Sequence, residues 1–168
     1  SPTLTKAFIE GVTSQGVHVV DCGLAGTDMM YFAVASQGLD GGAQITASHN
    51  PKQYNGCKLV KAEAFPLSGE SGIREMREMM LTNSLPPLAA TRGTVTPLDV
   101  MAPYVKHVMG FIDRTVIHPF NVVLDAGSGI AGLVAPHLFD QLPCRTTKLC
   151  FEVDGTFPNH EANPLLEE

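Results

Sequence analysis

Three residues of contrasting chemistry stand side by side in the stretch I-T-A-S-H-N-P-K-Q-Y-N-G-C-K-L-V, Ile45 to Val60: a serine, a histidine and an asparagine, followed by a proline. Ser48 offers a hydroxyl, a weak nucleophile until a neighbouring base takes its proton. His49 and Lys58 are the candidate bases and acids. Lys58 can serve only where its pKa is lowered, by a desolvated site and by the charges of Lys52 and Lys61. From Ala43 to Ala62 there are three lysines and one histidine, and no Asp or Glu, in a chain whose net charge is -6. A local cationic zone around a hydroxyl favours a phosphoryl group. The plainer reading is a solvated loop carrying ordinary polar residues. Neighbours on an extended chain also point to opposite sides, so adjacency alone does not pair Ser48 with His49.

The elements around this stretch must hold it. Val17 to Val20, Ala43 to Ala47, Gly56 to Ala62, Asn121 to Asp125 and Lys148 to Val153 read as strands from their apolar, often β-branched runs. Thr3 to Ser14, Met29 to Ser36, Ser71 to Leu81, Pro97 to Asp113 and Gly129 to Leu142 read as helices from their three-four apolar spacing. Thr27 is the expected cap of the second helix and Gly38 its C-terminal glycine. Thr82 to Thr96 shows no clear period and reads as a loop or a ragged strand. Asn50-Pro51 and Asn55-Gly56 are turn signals, so the tip at Ser48 is expected to have a fixed backbone whose N–H groups form a nest for anions. Strands alternating with helices predict an α/β fold of three layers, α/β/α, with a mixed, mostly parallel sheet. A seam is expected near His118, dividing residues 1–117, which carry the serine turn, from residues 118–168.

Composition narrows the function classes. With 44% hydrophobic and 17% charged residues the chain can bury a core. Its acidity argues against nucleic-acid or anionic-membrane partners, and no apolar run approaches the roughly 20 residues of a membrane span. Cys22, Cys57, Cys144 and Cys150 form no C-x-x-C pair and read as buried free thiols of a reducing cytoplasm. The chain reads as a piece of a longer protein, since it opens on Ser1 and closes on a polar segment.

The serine stretch resembles the active-site loop of the α-D-phosphohexomutases, the family of phosphomannomutases and phosphoglucomutases. The family pattern is T-x-S-H-N-P-x-x-Y-N-G-x-K, and Thr46, Ser48, His49, Asn50, Pro51, Tyr54, Asn55, Gly56 and Lys58 match it. V-V-D-C-G, D-A-G-S-G-I-A-G from Asp125 and E-V-D-G-T-F-P-N-H from Glu152 are similar to successive landmarks of the same family. The resemblance implies that Ser48 carries a phosphoryl group and hands it to a hexose phosphate. The other phosphate of the bisphosphate intermediate then returns to Ser48, a net transfer between O1 and O6. It implies His49 and Lys58 as acid and base, with Thr46, Asn50 and Lys58 at the substrate and its phosphate. It implies Mg2+ held on the Ser48 phosphate and a hexose 1,6-bisphosphate as activator. The three-aspartate loop that holds the metal in the family is absent here, as are its sugar loop and its C-terminal phosphate loop. The chain is therefore expected to cover parts of the first two family domains, to be inactive alone, and to self-associate through surfaces exposed by truncation.

Two other readings stand beside this one. G-S-G-I-A-G, Gly127 to Gly132, is a formal dinucleotide fingerprint with Glu152 20 residues beyond it, which would make an NAD-binding Rossmann-type module. The same glycines also serve a tight strand-to-helix turn and close packing. The third reading is a non-catalytic fragment. His18 reads as a partly buried structural residue and His107 and His118 as surface residues, while His137, after Pro136 in a helix, has no evident acidic partner. Asn159-His160-Glu161 suggests a metal by type, but the resemblance makes it a connecting segment.

Overall fold

A computed structural model describes residues 1–161 and 163. Among the described residues the helices and strands follow the expected alternation: α1 (Pro2–Ser14), β1 (Val19–Asp21), α2 (Thr27–Gln37), β2 (Gly41–Ile45), β3 (Cys57–Lys61), α3 (Arg74–Leu81), β4 (Val95–Pro97), α4 (Met101–Met109), β5 (Asn121–Asp125), α5 (Ala131–Phe139) and β6 (Arg145–Leu149). The strands pair two by two. β1–β4 and β5–β6 are parallel, and β2–β3 is antiparallel. The described residues divide into two compact units, one of 1–23, 30–46 and 56–99, the other of 24–29, 47–55 and the residues from Val100 onward.

In the first unit, α1 ends at Gly16, whose φ of +79 suits a residue without Cβ. α2 ends as expected at Gly38, φ +61, and the Leu39 N–H donates back to the Val34 carbonyl, a Schellman closure. Met30 and Val34 from this helix bury against Val60 of β3, with Tyr31, Leu39 and Ala64 around them. The helix approaches the hairpin most closely over Gly42, where a Cβ would stand 2.6 Å from a Val34 methyl and 2.7 Å from the Met30 sulfur. The unperiodic stretch, read as a loop or a ragged strand, ends in a short strand, β4, whose three residues are all exposed and so carry no burial signal. One expectation is corrected here: Pro97, expected in the first turn of a helix, closes that strand instead, and the helix begins at Met101. Proline is tolerated at such an edge because its missing N–H need not join a ladder.

In the second unit, β5 occupies the expected residues and β6 begins three residues earlier than Lys148. α4 packs against α5. Pro136 lies inside α5 and removes the N–H that would donate to the Gly132 carbonyl. Gly132 is itself buried, and a Cβ there would lie 2.1 Å from the Phe151 carbonyl oxygen. This glycine of the fingerprint run thus serves the close approach of helix and following segment. The Tyr104 hydroxyl of α4 donates to the Asp28 carboxylate in the first turn of α2. Partial burial, and then that bond and the carboxylate charge, push the Tyr104 pKa up to about 12.

Gly132→Ala should destabilise the fold by about 1–3 kcal/mol through backbone displacement. Gly11→Ala, on exposed helix with nothing within 4 Å of the added carbon, should stabilise it by about 0.5–1 kcal/mol; urea unfolding of both variants checks the opposite signs. For Tyr104 the folded pKa is raised, so its contribution is full below the free tyrosine value of about 10 and is lost as pH rises through about 12. Absorbance titration should show a tyrosine ionising near that pH, and Tyr104→Phe should remove the step.

Candidate functional site

The hairpin β2–β3 sets the two ends of the serine turn. Gly41 pairs with Lys61 and Ile45 with Cys57, and the Thr46 N–H donates to the Gly56 carbonyl at 2.9 Å, one step beyond the last pair. Gly56 also permits close approach, since a Cβ would come 3.2 Å from the Thr46 carbonyl oxygen. Lys58 stands exposed on β3 opposite Gln44, without the desolvated surroundings expected of it.

Beyond this closure the chain makes two successive turns. The Asn50 N–H donates to the Ala47 carbonyl at 3.1 Å and its side-chain amide donates to the same oxygen at 2.7 Å. The Tyr54 N–H then donates to the Pro51 carbonyl at 2.9 Å. Asn50 is therefore a turn-fixing residue here, the behaviour expected of Asn before Pro. Ser48, His49 and Asn50 are all exposed at the first turn.

Ser48 has a φ of +57. This left-handed conformation carries a cost of about 1–2 kcal/mol for an L residue, and it changes the side-chain geometry. On an extended chain Ser48 and His49 would diverge. Here the Ser48 Oγ lies 3.2 Å from His49 Nδ1. With Nδ1 unprotonated, the hydroxyl donates to it, so a base is in place on a candidate nucleophile. The strain sits at the residue whose chemistry the turn presents, a common association at reactive sites.

A second constellation lies where β5 and β6 end. The Asp125 carboxylate accepts the Gly127 N–H at 2.9 Å. Gly127 and Ser128 both have positive φ, +53 and +55. Ser128 is buried and tied on every side: its N–H donates to the Cys150 carbonyl at 2.8 Å, its carbonyl accepts the Asp154 N–H at 2.9 Å, and its Oγ accepts from the Asn159 side chain at 3.3 Å. His160 Nε2 lies 3.2 Å from both Asp125 oxygens. The Gly127 N–H bond first, and then His160, hold the Asp125 carboxyl below its ordinary range. Asp154 is held low in the same way by Thr156, with the charge of Lys52 as a further cause. So Asn159 and His160 are more than connecting residues. The acid at a strand end followed by F-P-N-H was the available signal, but no spacing rule joins residues this far apart.

The remaining residues are placed as follows. His18 is exposed rather than partly buried as expected, and its Nδ1 accepts the Thr94 N–H at 3.1 Å where β1 meets β4, a structural role. His107 packs edge-on against Phe111 and His118 against Phe120. None of the four cysteines is in a disulfide, as expected, yet none is fully buried, and Cys57 is exposed. Partial burial pushes the Cys22 thiol up, with Asp21 adding to it. Among the described residues no helix is long and apolar enough to cross a membrane.

Comparison with known proteins gives one consistent result. A family model described as phosphoglucomutase/phosphomannomutase, alpha/beta/alpha domain I, matches residues 1–85, and its domain II counterpart matches residues 102–168. A phosphomannomutase of Escherichia coli is 39% identical over 179 residues, covering all of this chain and 38% of that protein. A relative named for phosphohexose mutases, from Xanthomonas campestris pv. campestris (strain B100), is 37% identical over 168 residues, again covering the whole chain and 37% of the relative. The crystal structure of a phosphoglucomutase/phosphomannomutase family protein from Burkholderia thailandensis superposes with a TM-score of 0.82 at 33% identity, over 95% of this chain and 35% of that one. The expected fold is thereby borne out, and the chain spans less than two fifths of these relatives.

The left-handed backbone at position 48 predicts that Ser48→Gly is more stable than Ser48→Ala by about 1 kcal/mol. Paired urea unfolding curves measure that difference, and a reversed order would mean that the turn relaxes out of this conformation.

Proposed function

The chain belongs to the phosphoglucomutase/phosphomannomutase family, and we propose on that premise that its protein is a phosphohexomutase working through Ser48. The phosphoryl group on the Ser48 Oγ passes to a hydroxyl of a hexose phosphate. The serine O–P bond breaks, a sugar O–P bond forms, and the sugar proton goes to His49 as base, Lys58 being exposed here and lacking the desolvation that role needs. The bisphosphate then presents its other phosphoryl group, which returns to the Ser48 oxygen while the freed sugar oxygen regains a proton. The net change moves phosphate between O1 and O6, and a hexose 1,6-bisphosphate primes the serine. Thr46, Asn50 and Lys58 line the phosphate's approach.

One observation supports this reading above the others. A strained, exposed serine hydroxyl lies 3.2 Å from an imidazole nitrogen, in a stretch that carries lysines and no carboxylate. That setting favours a dianionic group and offers it an acceptor. The absence of carboxylates has a second consequence. Magnesium takes oxygen ligands, commonly one or two carboxylates plus phosphate, and the stretch from Ala43 to Ala62 supplies none. The residues around Ser48 therefore do not fit a magnesium site by themselves, and no step here is routed through the ion. Without those ligands the chain alone is expected to show no turnover. The fingerprint glycines need no nucleotide, because Gly132 is required by its contact with the Phe151 backbone.

The test replaces the matched 38% of the Escherichia coli phosphomannomutase by this chain and assays mutase turnover together with phosphate on the Ser48 peptide. The expected result is turnover with phosphoserine at position 48, with Ser48→Ala lowering activity at least about 10³-fold. A folded chimaera with turnover but no dependence on Ser48 would sink the reading.

A further inference from the structure

We propose that Asp125, Cys150 and His160 form a binding site for a zinc-like divalent cation at the carboxyl ends of β5 and β6, separate from the serine turn. The three residues each offer one ligand atom, and these atoms lie within 4.8 Å of one another. The set is mixed: a carboxylate, a thiol and an imidazole. Thiolate and imidazole select zinc and its borderline-soft neighbours over magnesium or calcium, which want oxygen.

The spacing suits the ion. A tetrahedral zinc holds nitrogen and oxygen ligands about 3.4 Å apart and nitrogen and sulfur about 3.6 Å apart, from its bond lengths. His160 Nε2 already lies 3.2 Å from the Asp125 oxygens. The Cys150 sulfur needs only a short inward movement, since all three atoms fall within the 4.8 Å limit.

The histidine is also oriented as a ligand would be. Its Nδ1 lies 2.9 Å from the Glu161 carbonyl oxygen, which can only accept, so Nδ1 carries the proton. Nε2 then faces the Asp125 carboxylate. Two groups rich in lone pairs face each other at this distance only when a positive charge stands between them. A proton on Nε2 is one such charge, giving the ion pair; a metal ion is the other. An imidazole Nδ1–H bonded to a backbone carbonyl is the usual outer support of a metal-bound histidine.

The backbone around the donors is pre-set. Asp125 is the last residue of β5, paired with Leu149, and Cys150 follows directly. Ser128 ties the segment from Cys150 to Asn159 onto the turn after β5. Ligands of open α/β sheets bind at the carboxyl ends of adjacent parallel strands. Three protein ligands leave a fourth position for water or another group. Binding releases the Cys150 proton as the thiolate forms, so affinity should fall as pH falls.

The probe is Co²⁺, added to the reduced 168-residue chain, with Zn²⁺ as competitor. One equivalent should produce a thiolate-to-cobalt charge-transfer band that zinc abolishes. Cys150→Ser should remove the band and His160→Gln should weaken binding at least tenfold, while Cys57→Ser leaves it unchanged. A second readout avoids variants that fold poorly: zinc should slow alkylation of Cys150 in the native chain, read by peptide mass spectrometry, leaving Cys57 as reactive as before, and a chelator should restore it. No band, a band that survives in Cys150→Ser, or equal alkylation of Cys150 with and without zinc overturns the proposal. Because no readout is mutase activity, the result is independent of the fate of Ser48.

Discussion

The close approach of α2 to β2 over Gly42 is the constraint on which the hairpin depends. Any side chain at that position would meet Val34 and the Met30 sulfur at under 3 Å. With hydrogen in that place, Met30 and Val34 reach across and bury Val60 of β3. Both strands are thereby held by one helix face, and the register from Gly41–Lys61 to Ile45–Cys57 is fixed. A slip by one residue would turn Val60 outward and a lysine inward. The base of the serine turn then has one allowed separation, and the Thr46–Gly56 hydrogen bond closes it. The strain at Ser48 is sustained at the end of that chain of packing.

A similar logic governs the β5–β6 end. There the central element is a buried serine instead of an apolar cluster. Ser128 uses its N–H, its carbonyl and its hydroxyl at once, so a single residue in the left-handed region satisfies partners from three separate points of the following segment. Buried polar groups are costly unless paired, and here the pairing draws the E-V-D-G-T-F-P-N-H segment onto the turn after β5. Gly132 completes the arrangement by letting α5 come against Phe151. The glycine-rich run thus reads as a packing device, though its spelling matches a nucleotide fingerprint.

The sequence was most legible where one residue type has one physical job. Gly16 and Gly38 end helices, the valines of β5 mark a strand, and the T-x-S-H-N-P-x-x-Y-N-G-x-K spelling identified the family. It was least legible where burial is slight. β4 is three exposed residues ending in proline, and no periodicity can announce it; its identity comes from the parallel partner β1, far away in sequence. β6 is mostly exposed, so the apolar run after it drew the expected strand three residues too late. At the candidate site, residue types predicted Ser48 and His49, but only the positive φ at Ser48 turns two sequence neighbours into a hydrogen-bonded pair. The convergence of Asp125, Cys150 and His160 was out of reach for the same reason: it is made by strand pairing and by Ser128, not by spacing.

The two stacked turns after Thr46 also determine which kinds of molecule can act on Ser48. Enzymes that modify or cleave proteins by reading a substrate as an added strand need the segment extended. Extending this one would break the Asn50–Ala47 and Tyr54–Pro51 hydrogen bonds and bring Ser48 from its positive φ to the negative φ of extended chain. A small solute needs no such rearrangement, because the hydroxyl is already exposed at the tip. The folded turn thereby withholds its serine from enzymes that read an extended strand, while the hydroxyl itself stays exposed at the tip.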